Sequence, residues 1–322
     1  MSSFKKLLIS GFRHSGKTAF CLSLALIRRD QGLKVGYFKP LGWQTFVKER
    51  VSSGKQLGYF IDADAYLMKE MLKLEQPIED VAPVLVNFNY LTSMAKETDK
   101  DLEKRIEKAY SRVSEGVDVL IIEGGHITQI FYNRKLSTYH LAKKFASKFL
   151  MVGNIRSDLP VDDMLFRKAV LDLLNINCIG TVLNNVPRTV LQRTKGVIKP
   201  LLEKNSIKVW GVIEENREIT TPTVSDILDI LEGEMLEVSE NMDKILVEDF
   251  LVGSMTCESA IKYFRRSINK AVIMGGDRDD IALAALETNA SVLILTGNLY
   301  PNVRVLSKAR EKNIPIILVP YD

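Results

Sequence analysis

The chain has 322 residues, of which 46% are hydrophobic and 26% charged, and its formal net charge is +4. Its length predicts two domains, and its apolar content is sufficient for a large buried core. No apolar run approaches the roughly 20 residues of a membrane span, and the three aliphatic residues after Lys5-Lys6 are too few for a secretory signal. We therefore expect a globular cytoplasmic protein with no membrane partner.

Charge is unevenly divided along the chain. From Arg217 onward there are 11 basic and 17 acidic residues, whereas the part before it contains 33 basic and 23 acidic residues. A basic first part suits a small polyanionic ligand. Nucleic acid is the weaker interpretation, because the basic residues are scattered and are not interleaved with aromatic residues.

The first motif is a phosphate-binding loop, GFRHSGKT at Gly11 to Thr18. It follows the apolar run Leu7 to Ile9 and precedes helical apolar spacing over Ala19 to Ile27, which is the strand–loop–helix context that the motif requires. Its two glycines let successive backbone N–H groups point at one anion, and the helix that follows adds its positive dipole. The spacing predicts that Lys17 reaches the β- and γ-phosphates and that the Thr18 hydroxyl holds Mg²⁺.

Every residue of this loop except Phe12 is a candidate nucleotide contact. These residues are Gly11, Arg13, His14, Ser15, Gly16, Lys17 and Thr18.

A second lysine follows the next predicted strand. Val35 to Phe38 read as a strand that runs into Lys39-Pro40, and proline cannot continue a central strand. Lys39 is therefore expected at the carboxyl end of the strand, the edge at which open parallel sheets bind ligands. It could neutralise charge that develops during phosphoryl transfer, or it could be a solvated lysine before a turn.

Acidic candidates follow. Asp62 and Asp64 precede a helical pattern over Ala65 to Leu74, where an aspartate is either an N-cap or a ligand of Mg²⁺, and the sequence leaves open which of the two binds metal. Further along, the apolar run Val117 to Ile122 reads as a buried parallel strand that ends on Glu123. An acidic residue there is the expected second anchor for Mg²⁺, with helix capping as the alternative.

Strands and helices continue to alternate up to residue 213, which predicts a parallel sheet with helices on both faces. The predicted strands are 149–152, 178–183 and 209–213, and the predicted helices are 159–174 and 190–203. Asn184 follows the second of these strands. Its amide can pair with the edge of adenine, although an Asn-Asn pair is also typical of a turn.

The region from Phe4 to about Glu215 resembles dethiobiotin synthetase and the similar domain at the front of some phosphate acetyltransferases. The resemblance is carried by GFRHSGKT at 11–18, GYFKP at 36–40, DAY at 64–66, IIEGG at 121–125 and GTVLNNV at 180–186, in the order and spacing of the family. It implies ATP and Mg²⁺ as ligands, and a homodimer. It also implies that Lys17 and Lys39 stabilise the transferred phosphoryl group, that Thr18, Asp64 and Glu123 hold Mg²⁺, and that Asn184 reads the adenine.

The sequence departs from this family around the substrate. Arg13 and His14 replace an acidic pair of a longer synthetase loop, and Gly125-His126-Ile127 replaces its glycine-rich continuation. The substrate pocket of the family is therefore not expected. His14 and His126 fall on loops at one sheet edge, where they could form a polar cluster beside the γ-phosphate, or each could satisfy local hydrogen bonds.

The second part reads as a smaller α/β unit. Its predicted strands are 271–274, 291–295 and 316–319, and its predicted helices are 224–231, 277–288 and 301–312. Thr221-Pro222-Thr223 and the stretch from Gly275 to Ile281 resemble the DRTGG domain, which implies a regulatory role. Asp277, Asp279 and Asp280 are expected to cap a helix rather than to bind a ligand.

We therefore predict a P-loop NTPase-like α/β fold, with a parallel sheet flanked by helices in residues 1–215 and a DRTGG-like unit in residues 216–322. The predicted function is phosphoryl transfer from Mg²⁺–ATP to an unidentified carboxylate-type small molecule. The alternative is a regulatory protein that senses nucleotide and turns it over slowly or not at all. Acetyltransferase activity is not expected of these residues.

Overall fold

The structure is a computed structural model that describes residues 5–12, 14–50, 56–216, 219 and 221–321. The chain divides into two compact units, Met1–Glu215 and Asn216–Asp322. Both are built from alternating strands and helices, so the predicted class, a P-loop-type α/β fold with a second, smaller α/β unit, is confirmed. Among the described helices, none combines the length and the apolar character needed to cross a bilayer.

In its described residues, the first unit contains ten strands. They are β1 (Lys5–Gly11), β2 (Val35–Phe38), β3 (Leu41–Trp43), β4 (Thr45–Arg50), β5 (Gln56–Ile61), β6 (Val84–Val86), β7 (Val119–Glu123), β8 (Lys148–Asn154), β9 (Cys178–Val186) and β10 (Val209–Glu214). Its helices are α1 (Lys17–Asp30), α2 (Ala63–Met71), α3 (Ile78–Val81), α4 (Tyr90–Ser93), α5 (Asp99–Val113), α6 (Thr138–Lys144), α7 (Leu159–Leu173), α8 (Arg188–Arg193) and α9 (Lys199–Lys204).

Six of these strands form one parallel sheet in the order β10-β9-β8-β1-β7-β2. The chain leaves β1 toward β2 and β7 on one side, and later adds β8 to β10 on the other. In an open parallel sheet, the crevice for a ligand lies at the carboxyl ends of the strands where this direction reverses. The loop after β1 therefore occupies the place where a ligand is expected.

The central strand shows why the sheet is buried on both faces. Leu8 packs into the apolar core on one side together with Leu120 and Phe149, whereas Ile9 packs into the core on the other side with Cys21. Successive side chains of a strand point to opposite faces, so a strand covered on both faces must be apolar at every position. The uninterrupted run Leu7-Leu8-Ile9 meets this requirement.

The observed elements differ by a few residues in extent from the predicted ones, and two of these differences have an identifiable physical cause. The helix expected over 190–203 runs from Arg188 to Lys204 and contains a five-residue π-helical segment, Thr194–Ile198. Pro200 lies two residues beyond this segment and has no N–H to donate into the preceding turn, which is a common cause of such a break. β9 continues past Leu183 because Asn184 still pairs with Asn154 of β8, so Asn184 lies in a strand and not after it.

Between α1 and α5, the short elements β3 to β6, α3 and α4 have no counterpart among the predicted elements. β3 pairs in parallel with β6, and β4 pairs with β5 as an antiparallel hairpin. Strands of three residues, such as β3 and β6, are too short to show a recognisable apolar period. β3 nevertheless matters for the site, because β3 and α2 both contribute residues to the edge of the sheet at which a ligand is expected.

The second unit has a five-stranded sheet in the order β11-β15-β14-β13-β12, in which only β11 is antiparallel. Its strands are β11 (Glu234–Glu237), β12 (Asp249–Val252), β13 (Lys270–Gly275), β14 (Ala290–Thr296) and β15 (Ile316–Leu318), and its helices are α10 (Val224–Leu231), α11 (Cys257–Phe264), α12 (Asp279–Leu286) and α13 (Val303–Lys312).

The capping role predicted for the aspartates of this unit is wrong. The N-cap position of α12 is Arg278, and no side chain caps the helix there. Asp279 accepts a hydrogen bond from the backbone N–H of Asn302, and Asp280 pairs with Arg278. The two carboxylates in the first turn thus favour the helix dipole without capping it.

The two tryptophans of the chain, Trp43 and Trp210, both lie in the first unit, so tryptophan fluorescence reports the unfolding of that unit alone. We expect Leu8→Ala to lower its free energy of unfolding by about 2–5 kcal/mol, because the substitution leaves a cavity in the centre of the sheet. Leu173→Ala, at a side chain that is 80% exposed, is the matched control. Equal denaturation midpoints for the two variants would contradict the assigned core.

Candidate functional site

The phosphate loop connects β1 to α1, and its shape depends on its two glycines. A Cβ at Gly11 would lie 2.0 Å from the carbonyl oxygen of Val152, and Gly16 has a φ of +76° that disfavours any other residue. Helix α1 has no acidic residue in its first turn, so no carboxylate offsets the positive end of its dipole. The loop therefore offers backbone N–H groups and a helix N-terminus to an anion. Arg13 lies outside the described residues.

Lys17 is folded back over this loop. Its ammonium donates a hydrogen bond of 3.0 Å to the carbonyl oxygen of Phe12, and the residue is only 7% exposed. Burial lowers the pKa of Lys17, partly offset by the charge of Glu123. The ammonium is thus poorly solvated and has a neutral partner that an incoming anion can replace.

Lys39 lies directly after β2 and is surrounded by carboxylates. Its ammonium nitrogen is 2.5 Å from Asp64 Oδ2, 3.0 Å from Asp62 Oδ1 and 3.5 Å from Glu123 Oε1. Burial alone would favour the neutral amine, but Glu123 and the two aspartates outweigh it and raise the pKa of Lys39. Of the two alternatives for this residue, a solvated surface lysine is wrong, since the side chain is 2% exposed.

Glu123, the last residue of β7, connects the loop to this cluster. Its Oε1 accepts a hydrogen bond of 2.9 Å from the hydroxyl of Thr18, and its Oε2 accepts one of 3.0 Å from the hydroxyl of Tyr37. The carboxylate is fully buried, and burial raises its pKa despite the opposing charge of Lys39. The side chain therefore holds Thr18, Tyr37 and Lys39 in one arrangement.

Asp62 and Asp64 have different roles in the structure. Asp62 is the N-cap of α2, where its carboxylate accepts hydrogen bonds from the backbone N–H of Ala65 at 2.7 Å and from the backbone N–H of Trp43 at 2.5 Å. Asp64 lies in the first turn, and its side chain is 45% exposed. Burial would raise the pKa of Asp64, but the charge of Lys39 lowers it overall. Asp64 is thus the aspartate that remains accessible from the cleft.

Asn184 and the two histidines lie at the rim of the loop. Asn184 donates a hydrogen bond of 2.9 Å to the carbonyl oxygen of Ser15, so its amide supports the loop. The rings of His14 and His126 are 5.8 Å apart, edge to face, and the ring of His126 is 4.9 Å from that of Trp43.

A cleft of about 310 Å³ lies at the carboxyl edge of the sheet. Its lining combines loop residues His14 to Thr18 with Trp43, Thr45, Asp62 to Asp64 and His126. Within the described part of the chain, no group of three or more His, Cys, Asp or Glu side chains is arranged to hold a metal ion. A hard cation here would need oxygen ligands from a bound anion and from water in addition to protein groups, as is usual for Mg²⁺.

Tyr37 and Trp43 are absent from the predicted site residues. Tyr37 precedes Lys39 by two residues, and residues two apart in a strand share a face, so strand periodicity would have placed it on the side of Lys39. Burial raises the pKa of the Tyr37 hydroxyl, and the negative charge of Glu123 raises it further. The hydroxyl therefore stays protonated and can donate a hydrogen bond. Trp43 had no comparable signal, because β3 is only three residues long.

The different roles of the two aspartates lead to a stability prediction. Asp62→Ala should lower the free energy of unfolding of the first unit by at least about 1–2 kcal/mol, because it removes a helix cap and a partner of a buried ammonium. Asp64→Ala should cost at most about 1 kcal/mol, since its carboxylate is half exposed. Urea denaturation followed by tryptophan fluorescence compares the two variants. A larger loss for Asp64→Ala would reverse the assignment.

Comparison with known proteins identifies both parts of the chain. Residues 5–223 match the AAA domain family AAA_26, and residues 226–322 match the DRTGG domain. Phosphate acetyltransferases of Nitrosomonas europaea and Pseudomonas putida are each 24% identical to this chain over 94% of its length. The chain covers 43% and 44% of these two relatives, less than half of either.

Among solved structures, the cell division protein MinD of Aquifex aeolicus aligns over 67% of this chain and 84% of its own, with 14% identity and a TM-score of 0.42. The family assignment rests on the sequence matches. The chain belongs to the AAA domain family, with a dethiobiotin synthetase-like P-loop domain followed by a DRTGG domain, and it is homologous to the N-terminal part of phosphate acetyltransferases.

Proposed function

We propose that the first unit binds ATP with Mg²⁺ and transfers the terminal phosphoryl group to a carboxylate. One observation carries the proposal: Lys17, Thr18 and Asp64 line a single cleft at the reversal point of the sheet. Lys39 and Glu123 lie buried directly behind it, where Lys39 pairs with Asp64 and Glu123 accepts from Thr18. These are the phosphate-binding, metal-binding and charge-stabilising groups that phosphoryl transfer requires.

The loop supplies the nucleotide contacts in this proposal. Backbone N–H groups from Gly11 to Thr18, together with the N-terminus of α1, would surround the phosphates, and the ammonium of Lys17 would exchange the Phe12 carbonyl for a phosphate oxygen. We retain Arg13 and His14 as candidate phosphate contacts. A role for Asn184 in reading adenine requires its amide to exchange the Ser15 carbonyl for the base.

The donor groups fit Mg²⁺. Thr18, Asp64 and Glu123 offer oxygen atoms only, and Mg²⁺ is commonly held by one or two carboxylates together with substrate phosphates. When bound, this ion would neutralise charge on the phosphate oxygens. The chain's own contribution is to hold Glu123 rigidly through Tyr37 and Thr18, and to present Asp64 at the cleft surface.

The transfer step is a direct displacement. A carboxylate oxygen of the acceptor forms a bond to the γ-phosphorus, the bond between this phosphorus and the β–γ bridging oxygen breaks, and its electron pair leaves with ADP. The products are ADP and an acyl phosphate. Lys17 and Lys39 would spread the negative charge of the transition state, for which Lys39 must turn from Asp64 toward the transferred group.

A second candidate function is nucleotide sensing, in which binding or slow hydrolysis regulates another activity. It is favoured by the three carboxylates that already neutralise Lys39, and by the DRTGG domain that follows. We propose that residues 1–215 form the nucleotide-binding domain and residues 216–322 a regulatory domain. The homodimer and the cytoplasmic location stay predictions, and light scattering tests the first.

Phosphate release with and without carboxylic acids distinguishes the two functions. Stimulation by an acid supports transfer, whereas binding with negligible turnover under all conditions supports sensing.

Two lysine variants test the assignment of the site. Lys17→Ala should weaken ATP binding by at least about 100-fold, because it removes a buried cation from the phosphates. Lys39→Met should lower turnover by about 100-fold or more, because its charge acts in the transition state and also holds three carboxylates in place. Calorimetry and phosphate release measure the two effects, with the exposed Lys100→Met as control. Unaltered binding by Lys17→Ala would contradict both functions.

A second test concerns the metal. With Asp64→Asn and Glu123→Gln, ATP binding should lose most of its dependence on Mg²⁺, since each substitution removes a charged oxygen ligand. The experiment compares calorimetric titrations in Mg²⁺ and in EDTA. If Mg²⁺ strengthens ATP binding equally in the variants and in the unmodified chain, the proposed ligands are wrong.

A further inference from the structure

Four aromatic rings form a continuous row that starts at the phosphate loop. Centroid distances are 5.8 Å from His14 to His126, 4.9 Å from His126 to Trp43, and 4.7 Å from Trp43 to Phe88. Each spacing lies in the range of stacked or edge-to-face aromatic contacts. The row leads from the phosphate cleft, which His14 and His126 line, to a second pocket beyond Trp43.

This second pocket differs in chemistry from the cleft. Its volume is about 190 Å³, and its walls are the side chains of Trp43, Phe88, Tyr90, Ile127 and Ile130, with two amides, Asn87 and Gln129. None of the described residues that line it carries a charge. The phosphate cleft, in contrast, contains Lys17, Asp62 and Asp64, and the two spaces share Trp43.

The amides are not equivalent. Asn87 donates to the side-chain carbonyl of Gln44 at 2.7 Å and accepts from the N–H of Asn89 at 2.8 Å, so it braces the wall of the pocket. Gln129 is exposed at the rim and can offer both a donor and an acceptor to a bound molecule. A ligand with one polar substituent on its ring can therefore form hydrogen bonds with Gln129 at this end of the pocket.

Size and charge define the class of ligand. A dry cavity of about 150 Å³ holds one benzene molecule, so a pocket of 190 Å³ accommodates a single six-membered ring with a small substituent. A second charged group on that ring would be desolvated without a partner, which is costly. A planar ring, in contrast, gains contact with the faces and edges of Trp43 and Phe88.

We propose that the acceptor is an aromatic monocarboxylate, with its uncharged ring in this pocket and its carboxylate toward the phosphate cleft. This inference rests on the proposed function and specifies its substrate class. The row of rings sets the direction: the carboxylate lies on the side of His126 and the cleft, and the far edge of the ring lies at Gln129. Dicarboxylates and zwitterionic amino acids are disfavoured because the pocket offers no partner for a second charge.

The two tryptophans permit a direct binding assay. Trp210 is on β10, away from this pocket, so Trp210→Phe leaves Trp43 as the sole tryptophan reporter. We expect benzoate and 4-hydroxybenzoate to change Trp43 fluorescence with saturation in the presence of Mg²⁺ and a non-hydrolysable ATP analogue, and succinate to cause no change. Phe88→Ala, at a side chain that is 71% exposed, should weaken benzoate binding about tenfold and leave the affinity for the analogue unaltered. Phe250→Ala, an exposed phenylalanine of the second unit, is the control and should alter neither.

The outcomes separate this inference from the proposed function. If the analogue binds in calorimetry but no aromatic acid changes Trp43 fluorescence, the inference is overturned and the nucleotide site remains. A second outcome combines three observations: the analogue alone changes Trp43 fluorescence, Phe88→Ala abolishes that change, and benzoate competes with the analogue. In that case the pocket holds the base of the nucleotide, and the inference is overturned. If the analogue fails to bind at all, the proposed function fails with it. Saturable binding of aromatic acids that Phe88→Ala weakens supports the inference.

Discussion

The ammonium group of Lys39 is the charge on which the candidate site depends. It lies among the carboxylates of Asp62, Asp64 and Glu123, two of which are almost completely buried. Three carboxylates this close would repel one another without a cation between them, and the two buried ones would be poorly solvated, so loss of the cation is strongly unfavourable. Lys39 thereby lets the ends of β2 and β7 and the start of α2 approach each other. A bound cation at the same carboxylates would take over part of this role and release the lysine.

The topology of the sheet determines which chemical groups reach this position. β1 lies between β8 and β7, and the loops that follow these strands emerge on the same edge. The phosphate loop follows β1, Glu123 ends β7, and Lys39 follows β2. Because all six strands are parallel, each crossover connection returns the chain to the same end of the sheet, and the strand ends that follow bring residues far apart in sequence to one crevice. Gly11 lets the loop pass the end of β8 closely, which a larger residue would prevent.

The edge combines two environments that suit different parts of the proposed reaction. The phosphate cleft is polar and charged, and the pocket beyond Trp43 is neutral and aromatic. Charged transition states are best stabilised by fixed dipoles and ions, whereas the body of an acceptor gains most from apolar contact and exclusion of water. Trp43 lines both spaces, and its backbone N–H donates a hydrogen bond to Asp62, which also pairs with Lys39. The aromatic wall and the ion cluster are thus supported by the same carboxylate.

The sequence alone determined the class of fold and the residues of the phosphate loop, and it led us to expect two domains. These follow from local patterns: apolar runs of three to six residues, helical apolar spacing, and a loop motif whose residue types are dictated by backbone geometry. It also located Lys39 and Glu123, because both come directly after a recognisable strand.

Tertiary structure alone decided that Asp62 caps α2 while Asp64 faces the cleft, that Tyr37 holds Glu123, and that Trp43 lies between His126 and Phe88. The contacts of Tyr37 and Trp43 join residues as many as 86 positions apart, for which short-range periodicity contains no information. The Asp62 cap is a local contact, but Asp64 also lies at the start of the helix, so the sequence pattern does not choose between the two aspartates.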